Sequence, residues 1–129
     1  VVKAEYGTGK RGGWLTSYTL ACLDGENYLE VGKVSTGVKE KSEGLTYKEL
    51  TKLLKPLITK VEGKVVLVKP KVILEVAYEE IQKSQSYGSG FGLRFPRVLN
   101  IRKDKGLDEI NSLKDVKLIY SKPKKITSF

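Results

Sequence analysis

Much of the chain alternates apolar and polar residues at every second position, the period of a β-strand with one buried face. The alternation is longest over residues 14–23, where Trp14 and Cys22 fall on one face and Leu15 on the other. Asp24 and Gly25 then favour a tight turn into the next strand. The pattern predicts strands at residues 1–6, 14–23, 28–35, 64–69 and 71–81.

One central segment has the helical period instead. Apolar residues recur at the spacings i, i+3, i+4, i+7 and i+8, namely Leu50, Leu53, Leu54, Leu57 and Ile58. Thr46 and Glu49 form a capping box ahead of them, and Pro56 is expected to end or kink the helix near Lys55. The lysines at 48, 52, 55 and 60 are interpreted as a solvated face.

Glycine, serine and lysine mark the remaining segments. Residues 7–13 contain four glycines around Lys10 and Arg11, which favours a loop that can approach a phosphate backbone closely. A flexible hairpin loop made soluble by its charge is the alternative. Residues 82–92 are also predicted to form a loop, and Ser112 and Asp115 are expected to cap a short C-terminal helix. The basic residues 122–129 are expected to form a frayed tail.

The order of these elements favours a mainly β fold. We expect an OB-fold, a five- to six-stranded Greek-key barrel with one helix between strands 3 and 4 and a short C-terminal helix. An SH3-like barrel is the alternative, but the position of the helix favours the OB-fold. The chain is predicted to form one domain over residues 1–121, followed by the tail at 122–129.

Composition narrows the range of possible functions. The chain has 24 Lys and Arg residues and 15 acidic residues. The resulting net charge of +9 favours a polyanionic partner such as nucleic acid. One Cys and no His exclude an internal disulfide and the usual zinc sites, so no metal site is predicted, and Cys22 is interpreted as a core residue. No stretch approaches the ~18 apolar residues of a membrane span. The expected setting is intracellular.

Cations are densest at residues 93–105, a predicted short strand with five Lys and Arg. Strict alternation places Val98, Asn100 and Arg102 on one face, and Leu99, Ile101 and Lys103 on the other. Cations at both ends of such a strand are suited to binding the phosphate chain of a nucleotide or nucleic acid. A solvated, positively charged edge strand is the alternative.

The motifs in this segment are more specific than its charge. Arg94-Phe95-Pro96-Arg97, followed by Arg102-Lys103-Asp104-Lys105, resembles the signature near the C-terminus of ATP-dependent DNA ligases, the last motif of a superfamily that includes mRNA capping enzymes. Residues 1–11, 28–34 and 75–84 are similar to the OB-fold domain of the archaeal and eukaryotic ligases.

The resemblance implies a reaction in which ATP adenylates a lysine, AMP passes to the 5′-phosphate of a nick, and the 3′-hydroxyl displaces AMP with help from Mg²⁺. The lysine lies in a Lys-x-Asp-Gly motif, of which Cys22-Leu23-Asp24-Gly25 keeps only the last two residues. We therefore expect the chain to be a fragment, inactive alone, with the nucleophile in an upstream adenylation domain that binds most of the ATP and Mg²⁺.

The resemblance also implies roles for individual residues. Arg94, Arg102 and Lys105 are expected to orient the ATP phosphates and the departing pyrophosphate, and Asp104 to orient those cations. The domain is then expected to rotate and hold nicked duplex DNA through the residues Lys10, Arg11, Phe95 and Arg97. The candidate aromatic platforms are Tyr6, Trp14, Tyr18 and Phe95, although composition favours a core or half-core position for each. A sliding clamp is a further partner to consider.

Two other functions stay open from the sequence. A non-catalytic OB-fold module that binds single-stranded nucleic acid explains the charge, but not the two motifs together. The OB domain of a capping guanylyltransferase shares Arg-x-Asp-Lys, but leaves the similarity of residues 1–11 and 75–84 unexplained.

Overall fold

The structure, a computed structural model, describes residues 1–7, 13–35, 47–102, 110–121 and 126–129. Strands predominate, and the helices are few and short. The elements are β1 (Lys3–Tyr6), β2 (Leu15–Asp24), β3 (Asn27–Val34), α1 (Tyr47–Leu54), a 3₁₀ turn (Lys55–Leu57), β4 (Ile58–Glu62), β5 (Val65–Val68), β6 (Leu74–Ala77), β7 (Glu80–Lys83), β8 (Phe91–Arg94), β9 (Arg97–Ile101), α2 (Leu113–Ser121) and β10 (Ile126–Ser128).

These strands form antiparallel sheets. The largest has the order β3-β2-β1-β5-β4, a second has the order β10-β6-β9, and β7 pairs with β8. One helix, α1, stands between the third and fourth strands, and α2 lies near the C-terminus. The mainly β class is therefore confirmed, and the antiparallel sheets with two helices are consistent with an OB-fold. The predicted strand at residues 71–81 is divided into β6 and β7.

A β-bulge sets the buried face of β2. Tyr6 pairs with Leu15 while Glu5 pairs with Ser17, so Thr16 is an extra residue in β2. The bulge brings Leu15 and Tyr18, three positions apart, into the same core, where both are fully buried. The Tyr18 hydroxyl donates a 2.6 Å hydrogen bond to the Leu15 carbonyl. The strict alternation expected at residues 14–23 is therefore broken at Thr16.

Helix α1 closes one side of this core. Leu50 and Leu54 are fully buried, and the helix gives way to a 3₁₀ turn containing Pro56, as predicted. The expected helical stripe nevertheless ends early, because Ile58 begins β4, a strand that the sequence did not predict. Thr46 of the predicted capping box lies outside the described residues.

The C-terminal segment packs more firmly than expected. Ser112 and Asp115 cap α2 reciprocally, each backbone N–H donating to the other's side chain at 2.9 and 3.1 Å, which confirms the predicted cap. The expected frayed tail is wrong for its last four residues, because β10 pairs with β6 and Phe129 is 1% exposed. Burial of a whole phenyl ring offsets the ordering of a short terminal strand. Residues 122–125 lie outside the described part.

Candidate nucleic-acid and nucleotide site

The hairpin of β7 and β8 positions Arg94, the first arginine of the two motifs. Residues 82–92 were predicted as a loop, but β7 extends to Lys83 and β8 starts at Phe91. Glu80 stands directly opposite Arg94 in this hairpin, and the Glu79 N–H donates to the Arg94 carbonyl at 2.8 Å. Arg94 is therefore held by backbone pairing at the end of a strand.

Between β8 and β9 the chain turns through Arg94, Phe95, Pro96 and Arg97, which we call the Phe95 corner. Phe95 has φ of 50°, and it is the one non-glycine residue of positive φ in the described part of the chain. That conformation costs about 1 kcal/mol or more for an L-residue. Phe95 is 70% exposed. A strained backbone that presents an apolar ring to solvent is typical of a contact surface.

The two arginines of the corner differ in their partners. Arg94 Nη1 lies 3.0 Å from Glu80 Oε1, and the Arg94 guanidinium lies 5.1 Å from the centre of the Phe95 ring. This ion pair is half exposed on both sides, so water screens it and a phosphate can replace the carboxylate. Arg97 is exposed and forms no ion pair with the residues that the structure describes.

A second bulge changes the faces of β9. Val76 pairs with Val98 and Glu75 pairs with Asn100, so Leu99 is an extra residue in β9. Val98 is buried, and Ile101, three residues later, also packs against the core. The predicted alternation, with Leu99 and Ile101 on one face, is therefore wrong beyond Val98. Lys103 lies outside the described residues.

At the far end of β9, a backbone contact and a side-chain contact help to fix Arg102. Its backbone N–H donates to the Ile73 carbonyl at 2.8 Å, and its Nη1 donates to Glu75 Oε2 at 3.0 Å. The Arg102 and Glu75 side chains are only about a quarter exposed, at 26% and 28%. Such a partly buried pair is screened less than the Arg94 pair, so Arg102 is held more firmly.

The site residues therefore form two groups. Arg94, Phe95 and Arg97 lie together at the start of β9, whereas Arg102 follows its end. Arg102 is five steps of extended chain beyond Arg97, which is about 16 Å at ~3.3 Å per residue. Arg94 and Arg102, expected to act together, are not neighbours. The remaining predicted site residues lie outside the described part of the chain: Lys10, Arg11, Asp104 and Lys105.

Other sequence-based expectations have mixed outcomes. Tyr18 is fully buried, so it cannot be an aromatic platform, while Tyr6 and Trp14 are half-buried. Cys22 is fully buried, and burial raises the pKa of its thiol to about 11, which confirms it as a core residue. The pairing of Glu75 with Arg102 was not predicted, because the two residues are 27 positions apart in the sequence.

Two further observations concern metal and membrane. Within the described residues, no group of three or more His, Cys, Asp and Glu side chains is arranged to hold a metal ion. None of the helices in those ranges is long and apolar enough to cross a membrane.

An OB-fold that presents an exposed aromatic ring between arginines has the features of a nucleic-acid-binding domain. The family described as "ATP dependent DNA ligase C terminal region" matches residues 11–105, and the chain belongs to this family. The resemblance seen in the motifs is thus confirmed, and it favours the ligase over the single-strand module and the capping enzyme.

Three archaeal relatives illustrate the extent of the similarity. The chain is 58% identical over 125 residues to a DNA ligase of Nanoarchaeum equitans. It is 46% identical over 123 residues to one of Methanocella arvoryzae, and 47% identical over 122 residues to one of Archaeoglobus fulgidus. These alignments cover 93–94% of the chain and 21–22% of each relative. The chain therefore spans about a fifth of the length of the curated relatives it matches.

Proposed function

We propose that the chain acts as the C-terminal OB-fold domain of a DNA ligase that joins nicks in duplex DNA at the expense of ATP. The observation that carries this proposal is the division of the basic motif between the two ends of β9. One end holds an arginine firmly beside a carboxylate, and the other exposes an aromatic ring between two arginines. We assign the first end to the nucleotide and the second to DNA.

At the nucleotide end, Arg102 binds the outer phosphates of ATP and orients pyrophosphate as the leaving group. Transfer at phosphorus depends mainly on positioning and on neutralising charge, which a fixed guanidinium does well. Glu75 accepts a hydrogen bond from one guanidinium nitrogen and so fixes the orientation of the guanidinium. The roles expected of Asp104 and Lys105 remain predictions. Mg²⁺ supplies further charge neutralisation and is assigned, with most of the ATP contacts, to the upstream adenylation domain.

At the DNA end, Phe95 packs into the minor groove beside the nick while Arg97 contacts backbone phosphates. We assign Arg94 to DNA as well, rather than to ATP, because its guanidinium lies against the Phe95 ring. Lys10 and Arg11 are expected to add phosphate contacts. Because ~16 Å separate the two ends of β9, we propose that the domain rotates between the nucleotide step and the sealing step.

The nucleotide assignment is tested by transfer of labelled AMP from ATP to the protein, using the natural full-length protein that carries this chain. Arg102→Ala should slow this transfer by about 10²-fold, the usual effect of removing one donor to a developing charge. The matched control is Lys60→Ala, which also removes a cation. Lys60 pairs with Glu62 on the exposed strand β4, and its side chain is 66% exposed. Equal transfer rates in Arg102→Ala and wild type would contradict the assignment.

A further inference from the structure

A second basic surface lies on α1. Gly13 and Trp14, which precede β2, face the helix across a pocket of about 340 Å³. Thr51, Lys48, Lys52 and Lys55 line its other side. We call this site the Trp14 pocket. Its three lysines were interpreted from the sequence only as a solvated helix face.

The pocket is built on fixed backbone. The Leu15 N–H donates a 2.8 Å hydrogen bond to the Thr51 hydroxyl, which is buried between the strand and the helix. On the other side, the Gly7 N–H donates to the Trp14 carbonyl at 3.0 Å. Trp14 also packs against the hydrophobic core. The indole and the helix therefore keep a constant separation, as a binding site requires.

The lysines of the pocket have no ion-pair partner among the residues that the structure describes. Lys48 and Lys52 are one helical turn apart, and Lys55 follows in the 3₁₀ turn. All three are exposed, and none forms an ion pair or hydrogen bond within the described residues. On the main sheet, by contrast, Lys3 and Lys33 each have a glutamate partner at 2.9 Å. Like charges at this spacing repel each other, and a bound polyanion removes that repulsion.

Trp14 and Gly13 add groups that suit a phosphate backbone. The Trp14 indole N–H, which can only donate, has no hydrogen-bond partner in the described part of the chain and is not buried. A side chain placed at Gly13 would meet no atom within 4 Å, so the backbone there borders open space. The indole is only half-buried, so part of its apolar surface can pack against a sugar.

We propose that the Trp14 pocket binds the sugar–phosphate backbone of duplex DNA at a place separate from the Phe95 corner. Lys48 to Lys55 extend over about 10 Å of helix at ~1.5 Å per residue. One DNA strand carries a phosphate for every ~3.4 Å of helix axis, so this length matches about three phosphates. The inference rests on the proposed function only in taking DNA as the ligand.

The test uses the 129-residue chain itself, in which Trp14 is the only tryptophan and so the only indole fluorophore. Duplex DNA binding is measured as a function of salt for wild type and for a triple variant, Lys48→Gln, Lys52→Gln and Lys55→Gln. If each lysine meets one phosphate, the slope of log K against log salt should fall in magnitude by about 2–3. DNA should also change the Trp14 emission of wild type.

Two controls separate a local contact from a general loss of charge. A matched triple variant removes three exposed lysines around α2, by Lys83→Gln, Lys114→Gln and Lys117→Gln, and should leave the slope unchanged. Gly13→Asp places a carboxylate at the pocket without positive φ, and should weaken DNA binding relative to Gly13→Ser. Circular dichroism confirms that each variant is folded.

Equal slopes in the two triple variants, or Trp14 emission that does not change at saturating DNA, would overturn the inference. Phe95→Ala with Arg97→Ala, measured alongside, tests the proposed function separately. If that pair weakens binding while the α1 triple variant does not, only the Trp14 pocket is refuted. If wild type binds no duplex, both the pocket and the DNA contact of the corner are refuted.

Discussion

Replacement of Phe129 by alanine should lower the free energy of unfolding by about 3–5 kcal/mol. A buried phenylalanine removes roughly 150–250 Å² from water, or about 4–6 kcal/mol at ~25 cal/mol per Å², and an extended-chain reference overstates this by ~10–40%. Phe129 is 1% exposed, so the full loss applies. The result agrees with the ~3–5 kcal/mol found for other buried Phe→Ala changes.

The substitution isolates the ring, because alanine keeps the two backbone hydrogen bonds that Phe129 exchanges with Leu74 at 2.8 and 3.0 Å. In a thermal melt of the 129-residue chain, the midpoint should fall by about 11–18 °C, given an unfolding entropy of ~2.1 cal/mol/K per residue. Urea unfolding should give the same free-energy change with an unchanged m-value.

The chain offers a matched control for this change. Phe95→Ala removes the same ring from a 70% exposed position, and should change stability by no more than about 0.5 kcal/mol. A loss below about 1 kcal/mol for Phe129→Ala, or equal losses in the two variants, would show that the C-terminal strand is not docked in the core.

Two further predictions concern the core. Thr51→Val should lower the free energy of unfolding by about 1–3 kcal/mol, because it leaves the buried Leu15 N–H unpaired. The control Thr59→Val removes an exposed 3.3 Å hydrogen bond and should lower it by less than about 0.5 kcal/mol. Equal urea midpoints in the two variants would refute this prediction. Since burial raises the pKa of the Cys22 thiol from 9.0 to about 11, the unfolded thiol ionises first, and stability should fall as pH rises from 9 towards 11. Urea midpoints over this range should fall less steeply for Cys22→Ala, and identical slopes would contradict the assignment.

The fold was largely predictable because its signals are local. Alternation gave β2 and β3, and the leucine spacing with Pro56 gave α1 and its end. The bulges at Thr16 and Leu99 were not predictable, since a bulge depends on pairing with a distant strand rather than on its own residues. The docking of β10 was missed for the same reason, because the basic residues before it conceal the anchoring role of Phe129.

The candidate site residues were chosen from their order along the chain, which does not reveal their arrangement in space. The motif residues were recognised by their order, and order alone suggested that Arg94 and Arg102 act together. Their separation follows from the pairing of β9 with β6, and the carboxylate partner of Arg102 comes from that neighbouring strand. Trp14 and the α1 lysines are brought together by the Leu15–Thr51 hydrogen bond, which joins residues 36 positions apart.

The most direct test of the central claim, that the two ends of β9 serve different steps, is nick sealing by the natural full-length protein from two starting points. Arg102→Ala should fail when started from ATP but seal when the protein is already adenylated. Phe95→Ala should be impaired equally from both starting points, because it acts on DNA. If Arg102→Ala is equally impaired from both, Arg102 acts on DNA, and the division of β9 into a nucleotide end and a DNA end is wrong.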